Sequence, residues 1–403
     1  MELQEQAKLL DAWFKAHYDE ILATIETVVN MDSFSHDGQD VNALGEKICS
    51  FFDGTGFMAE KTVKKECPKD EPWQAELGNV FIARTHKKEA GAGIVFLAHM
   101  DTVFPKGTTK TRPFRLDKEN DRAYGPGVLD MKSGLVMNIF VARALKELNL
   151  VSCPLTLSFS PDEELGSPST LPVLKEELQG AIASFCPEPG YLGNGVTIER
   201  KGSGHMLLEI KGKSAHAGRN YQDGASAILE LAHKILAFDK YVDLPHDRTV
   251  NTGIIKGGTS ANSVAPNAMA RIHITYKTLE EGQKLVQSIR EETAKTYIAG
   301  TSSAISGGLR LPPLIPTEDT KKLYEFVKKA GEIIDYVPFV EASKGAAESG
   351  FCSSILKIPS ICSIGPEGTF LHNEKEYIIP STIIPRCKLI ALGAIQASNY
   401  FHK

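Results

Sequence analysis

Three short apolar segments of the chain each run into residues that bind divalent cations. Ile94-Val95-Phe96-Leu97-Ala98 leads into His99-Met100-Asp101, Leu155–Phe159 into Pro161-Asp162-Glu163-Glu164, and Ala181–Cys186 into Pro187-Glu188-Pro189. Between the first two lies Gly125-Pro126-Gly127-Val128-Leu129-Asp130, which sets Asp130 at the start of a helical pattern, where a carboxylate is favoured. Imidazole and carboxylate donors without thiolate suit zinc and tolerate cobalt or manganese. A pair of such ions needs a bridging carboxylate, and the water between them becomes a nucleophile near neutral pH. Glu163 and Glu164 are adjacent, so in an extended segment one can bind metal while the other handles protons. Singly, each residue has an ordinary reading: a structural His, an N-cap Asp, a solvated acidic pair. Three coincident strand ends, apolar before and metal-binding after, carry the argument.

Rival chemistries lack their motifs. No G-x-S-x-G elbow occurs, and no G-x-G-x-x-G follows a strand. Gly212-Lys213-Ser214 has Leu207 where a phosphate loop requires glycine.

Positioning these groups requires strands alternating with helices. Residues 1–30 read as one amphipathic helix, Val41–Phe52 as a second and Met131–Leu148 as a third, with short buried strands between. That order predicts an α/β domain with a mostly parallel sheet, whose strand ends face a common crevice. The pattern changes near residue 198. His205–Lys211, Ala225–Phe238, Thr249–Ile255, Ala268–Tyr276 and Glu280–Tyr297 read as β-α-β-β-α, closed by Gly307-Gly308. The α/β pattern resumes at Leu323. The expected organisation is a discontinuous catalytic domain of residues 1–197 and 309–403. Residues 198–308 form an inserted α+β, ferredoxin-like domain.

The 403 residues exceed the size at which one core usually stops growing, which agrees with two domains. A formal charge of −5 without a basic cluster argues against nucleic acid or an anionic membrane as partner. The N-terminal 30 residues lack the basic start and apolar stretch of a signal peptide, and no apolar run reaches the ~20 residues of a membrane span. Seven cysteines without a C-x-x-C pair fit a reducing, cytoplasmic setting better than a disulfide framework.

At this point the sequence resembles the M20 family of zinc peptidases and deacylases, and within it the glutamate carboxypeptidase (carboxypeptidase G2) branch. His99-Met100-Asp101 matches the family's H-x-D, Gly125–Ser133 its G-x-G-x-x-D-M-K-x and Pro161–Ser167 its P-D-E-E-x-G-S. His372–Tyr377 matches the closing H-x-x-x-E-Y, and the similarity runs from about residue 75 to the C-terminus. The resemblance implies two zinc ions, one held by His99 and Glu188, the other by Glu164 and His372, with Asp130 bridging. It makes Glu163 the general base, makes Asp101 the group that orients His99, and implies a cis peptide after Asp130. The inserted domain resembles the family's lid and dimerisation domain. Gly212–Gly218 matches its G-x-x-x-H-A-G, so His216 would serve the partner protomer's site in a homodimer and steady the oxyanion. Asn262, Arg310 and Gly345 match substrate-contacting positions.

Two departures bear on substrate. Arg271-Ile272-His273-Ile274-Thr275-Tyr276 has Thr275 where the family's D-x-R places Arg, and Glu348 stands where Asp is commoner. Glu188 replaces the Asp of the carboxypeptidase branch and is more frequent in deacylases and desuccinylases. The leading expectation is cleavage of a peptide or N-acyl amide bond next to a free carboxylate. An acetylornithine deacetylase- or aminoacylase-like deacylase, or a dipeptidase, is the alternative. The complete ligand set argues against a non-catalytic homologue.

Overall fold

The computed structural model describes residues 1–62 and 77–402; Cys67 lies outside them. The central sheet has the order Met58–Lys61, Phe81–Arg84, Leu155–Ser160, Gly93–His99, Ala181–Cys186, Ser360–Cys362. The last four strands run parallel and the first two are antiparallel additions at one edge. Gly93–His99 and Leu155–Ser160 are buried along their whole length, which explains their unbroken apolar character. Ile94, Phe96 and Ala98 pack into one helical layer with the helices Ser133–Glu147 and Ile383–Phe401. Val95 and Leu97 face the opposite layer, with Leu174 of Thr170–Glu177 and Cys352 of Glu348–Ser354. This is the mostly parallel α/β sheet expected from the alternation.

A second, antiparallel sheet has the order Thr249–Gly257, Asn267–Tyr276, Gly202–Lys211, Ser302–Leu309. The helices Ala227–Asp239 and Leu279–Ala294 cover one face over a core that includes Leu208, Ala270, Ile272 and Ile274. The opposite face carries His205, Arg271, His273 and Thr275. Side chains alternate across a strand, so this set comes from the same residues that fill the helical core.

Some elements depart from the sequence reading. A fourth strand, Ser302–Leu309, is added to the expected β-α-β-β-α order, and Gly307 and Gly308 lie within it, paired to Met206 and His205. A Cβ on the facing Gly204 would sit 2.5 Å from the Gly308 carbonyl oxygen, so glycine here permits close strand approach rather than ending the element. The N-terminal 30 residues form two helices, Leu3–Ala16 and Tyr18–Val29. His17 separates them by stacking on Trp13 and donating from Nδ1 to the Trp13 carbonyl at 2.7 Å. Glu163–Leu165 is a tight 3₁₀ turn, not an extended segment. No helix of the described residues is long and apolar enough to cross a membrane.

Candidate metal centre

Each predicted ligand leaves a fixed element. His99 ends one central strand, Glu164 lies in the turn after a second, and Glu188 follows a third by two residues. A small antiparallel sheet supplies the rest. Its strand Arg122–Tyr124 leads into the loop bearing Asp130, and His372 lies between its strands Gly368–Thr369 and Tyr377–Ile378. The Asp130–Met131 peptide is cis, as the resemblance implies.

Asp130 sits between two groups of donors. Its Oδ1 is 3.1 Å from His99 Nε2, which is also 4.0 Å from Glu188 Oε1. Its Oδ2 is 3.2 Å from His372 Nε2, which lies 3.2 Å from Glu164 Oε2. Donor atoms of His99, Asp130 and Glu188 fall within 4.8 Å of one another, as do those of Asp130, Glu164 and His372. The two trios share Asp130, the arrangement a pair of divalent cations requires. Glu164 Oε1 is buried without a hydrogen-bond partner, an orphan that a cation would satisfy.

The surrounding electrostatics fit the same chemistry. Burial raises the Glu163 carboxyl well above its usual range, and Glu188 and Glu164 push it the same way. Burial and the Asp130 carboxylate push Glu188 up to about 8. Burial opposes ionisation of Asp130 too, but hydrogen bonds from His372 and His99 hold it below the carboxylate range. The same contacts, with Asp130 first and Glu164 second, push His372 up to about 10. Divalent cations among these donors would relieve the carboxylate repulsion and take the imidazoles in their neutral form.

A second tier of contacts fixes the donors. His99 Nδ1 donates to the Asp101 carbonyl at 3.0 Å and lies 3.3 Å from its Oδ1, leaving Nε2 turned toward Asp130. The Asp101 carboxylate also accepts from the Glu163 and Glu164 amides at 3.1 and 3.2 Å and from Ser35 Oγ at 2.8 Å. One carboxylate thus orients a ligand of one trio and the turn that carries a ligand of the other. Glu376 is fully buried and accepts from the Gly127, Leu129 and Asp130 amides at 3.2, 2.7 and 3.0 Å, so it clamps the Asp130 loop. Glu348 accepts from Ser160 and Ser167 at 2.7 and 2.8 Å and so braces both sides of the Glu163–Leu165 turn. The sequence reading assigned no role to Glu376, Glu348 or Ser35. Glu376 ends the charged run Glu374-Lys375-Glu376, so its place as the acid of the H-x-x-x-E-Y match is its one sequence signal.

A cavity of about 790 Å³ opens beside the donors and is lined by Glu163, Glu188, Arg200, His205 and Gly345, among others. Arg200 Nη1 donates to Cys362 Sγ at 3.1 Å at the cavity floor. Arg310 does not line it but packs against Gly166 at the end of the Glu163–Leu165 turn, where an added Cβ would be 3.0 Å from the Arg310 Cβ. His216 and Asn262 are exposed neighbours on the inserted segment, joined by an Ala217 amide to Asn262 carbonyl bond of 2.9 Å, and neither lines this chain's cavity.

The family model for peptidase family M20/M25/M40 matches residues 95–395. The chain belongs to the M20 peptidase family. It is therefore a hydrolytic enzyme of the metallopeptidase type. The M20 chain is 25% identical over 382 residues to carboxypeptidase G2 of Pseudomonas sp. (strain RS-16), covering 93% of this chain and 88% of that protein. It is 24% identical over 327 residues to a succinyl-diaminopimelate desuccinylase of Gluconacetobacter diazotrophicus, covering 77% and 80% respectively. The fold of this M20 protein superposes with a TM-score of 0.76 on the M20 metallo-carboxypeptidase Sso-CP2 of Sulfolobus solfataricus. That match covers 94% of this chain and 99% of the other at 15% identity.

Proposed function

We propose that the protein is a two-metal hydrolase that cleaves a peptide or N-acyl amide bond next to a free carboxylate, with zinc as the metal and cobalt or manganese as substitutes. The observation that carries this reading is the pair of donor trios sharing Asp130. His99 and Glu188 would hold one ion and Glu164 and His372 the other, with Asp130 shared between them. When bound, such ions supply Lewis acidity and lower the pKa of a bound water. Glu163 takes the proton of the attacking water on its carboxylate and passes it to the leaving amine. Its buried setting supports that role, because a carboxylate whose proton affinity is raised is a stronger base. Asp101 acts through His99 and the catalytic turn and does not touch substrate.

Gly345 of the cavity lining and, by the family match, Arg310 beside Gly166 are assigned to the substrate's carboxylate end, Arg310 for a planar fork that suits a carboxylate. We assign residues 1–197 and 309–403 to the catalytic domain and 198–308 to a lid that also forms a homodimer. The exposed position of His216 beside Asn262 favours action on the partner's site in that dimer. The six described cysteines are free thiols, which supports a cytoplasmic location. Glu188 in place of Asp favours a second reading, an N-acyl-amino-acid deacylase. Metal-loaded protein assayed on N-acyl-glutamates, acetylated amino acids and dipeptides, with and without chelator, separates the two. Turnover that survives complete chelation contradicts both.

A further inference from the structure

The uncovered face of the antiparallel sheet bounds a second cavity, of about 260 Å³, which the proposed reaction does not use. Its walls include His205, Arg271, His273 and Ile254 from the sheet, and His36 and Leu165 from the catalytic side. Two features tie it to the metal centre. Leu165 follows the ligand Glu164 in the same turn. His205 and His273 line both cavities. They face each other across neighbouring strands with ring centroids 5.2 Å apart and stand where the two spaces adjoin.

The chemistry of the second cavity is one-sided. Among the described residues no carboxylate lines it. Arg271 lies two residues before His273 on the same sheet face, and its guanidinium makes no ion pair among the described residues. Leu165, Leu207 and Ile254 supply apolar wall between the imidazoles and the arginine. At ~30 Å³ per water the space of about 260 Å³ equals about eight or nine waters, enough for a chain of about as many heavy atoms.

We propose that this cavity is a distal acyl subsite that takes an apolar chain ending in a carboxylate, with Arg271 docking the far carboxylate and His205 and His273 flanking the chain. The inference rests on the hydrolase reading and names its acyl group. The substrate class is an N-(ω-carboxyacyl) amino acid with an acyl chain of about eight carbons. A guanidinium–carboxylate pair in a half-buried pocket is charge-assisted and fixes the chain's length as well as its charge. Burial, then His273, Arg310 and Arg271, push His205 down to about 4, and burial lowers His273, so both rings meet the chain as neutral imidazoles at pH 7.

The test compares N-acetyl-, N-octanoyl- and N-suberoyl-glutamate on the metal-loaded protein. The subsite predicts a KM for the suberoyl substrate at least about tenfold below that of the octanoyl one. Arg271→Gln raises the suberoyl KM roughly ten- to a hundredfold while kcat changes far less. Arg271→Glu reverses the preference toward an ω-aminoacyl substrate, a result that loss of folding cannot imitate. A second arm needs no turnover: metal-loaded Glu163→Gln protein binds suberate more tightly than octanoate by calorimetry, and the added Arg271→Gln change removes the difference. Equal affinity for suberate and octanoate, or a preference that survives Arg271→Gln, overturns the proposal. So does free suberate acting non-competitively on N-acetyl-glutamate without any chain preference, since that describes an effector site. If none of the glutamates is hydrolysed but suberate binding depends on Arg271, the hydrolase assignment to N-acyl-glutamates fails while the subsite stands.

Discussion

Glu376 touches no proposed metal or substrate position, yet its replacement should disable the site. Its carboxylate accepts three backbone N–H groups from Gly127, Leu129 and Asp130 in a fully buried position. Glu376→Ala leaves three buried donors without partners. At about 1–3 kcal/mol for each unsatisfied group, and with adjacent donors contributing less than additively, the cost is about 3–6 kcal/mol. That approaches the ~5–15 kcal/mol by which a folded protein is stable, so Ala tests folding rather than function. Glu376→Gln is the better probe. Its single carbonyl oxygen can satisfy one or two of the donors, while its amide group turns its own N–H toward the others. The expected loss is about 2–3 kcal/mol, read as a fall in the melting temperature of about 4 °C or more. Because the clamped loop carries Asp130, metal affinity should fall about 10- to 100-fold, the range seen when an outer-shell partner is lost. The assay pairs thermal unfolding with a competitive metal titration. A Gln variant that melts with the wild type and binds both ions with unchanged affinity refutes the clamp.

Three further outcomes follow from the same geometry. Glu163→Gln keeps its metal but loses roughly 10²- to 10⁴-fold in kcat, since only proton transfer is removed; a kcat near wild type takes Glu163 out of its role. Gly134→Ala destabilises the protein by about 1–3 kcal/mol and loosens metal binding, because the new Cβ would lie 1.9 Å from the Pro187 carbonyl that precedes Glu188. In a helix without that contact the same change stabilises by about 1 kcal/mol, so the sign of the measured difference decides. The His205 imidazole, held down to about 4 mainly by burial, binds fewer protons in the folded state than in the unfolded chain, where its pKa is about 6.5. Its contribution is complete above about pH 6.5 and is lost as the pH falls to 4, about 3 kcal/mol in all. His205→Gln should flatten the dependence of melting temperature on pH across that window, and an unchanged slope assigns the dependence to other groups.

Much of the site was legible because its parts are local. An apolar pentapeptide ending in His99 can be read without knowing what packs on it, and so can the strands ending near Glu164 and Glu188. His372 has no such local signature and was reached only through the family resemblance. The contacts that hold the ligands cross long stretches of chain: Glu376 binds an amide 249 residues away and Ser35 binds Asp101 66 residues away. No periodicity reports such pairs. The strand Ser302–Leu309 escaped detection because Gly307 and Gly308 look like a terminator, whereas the facing Gly204 shows that they allow close approach. The turn at Glu163–Leu165 reads as extended in the sequence because nothing in Asp162-Glu163-Glu164 declares the Asp101 carboxylate that folds it.

The central claim, two cation sites sharing Asp130, is tested most directly by metal stoichiometry. Protein stripped with chelator and reconstituted with zinc should hold two ions per chain by mass-spectrometric metal analysis. His372→Ala should then hold one ion, and Asp130→Ala should lose both at concentrations that saturate the wild type. A wild-type stoichiometry of one, or an Asp130→Ala protein that still binds two, contradicts the shared-ligand site.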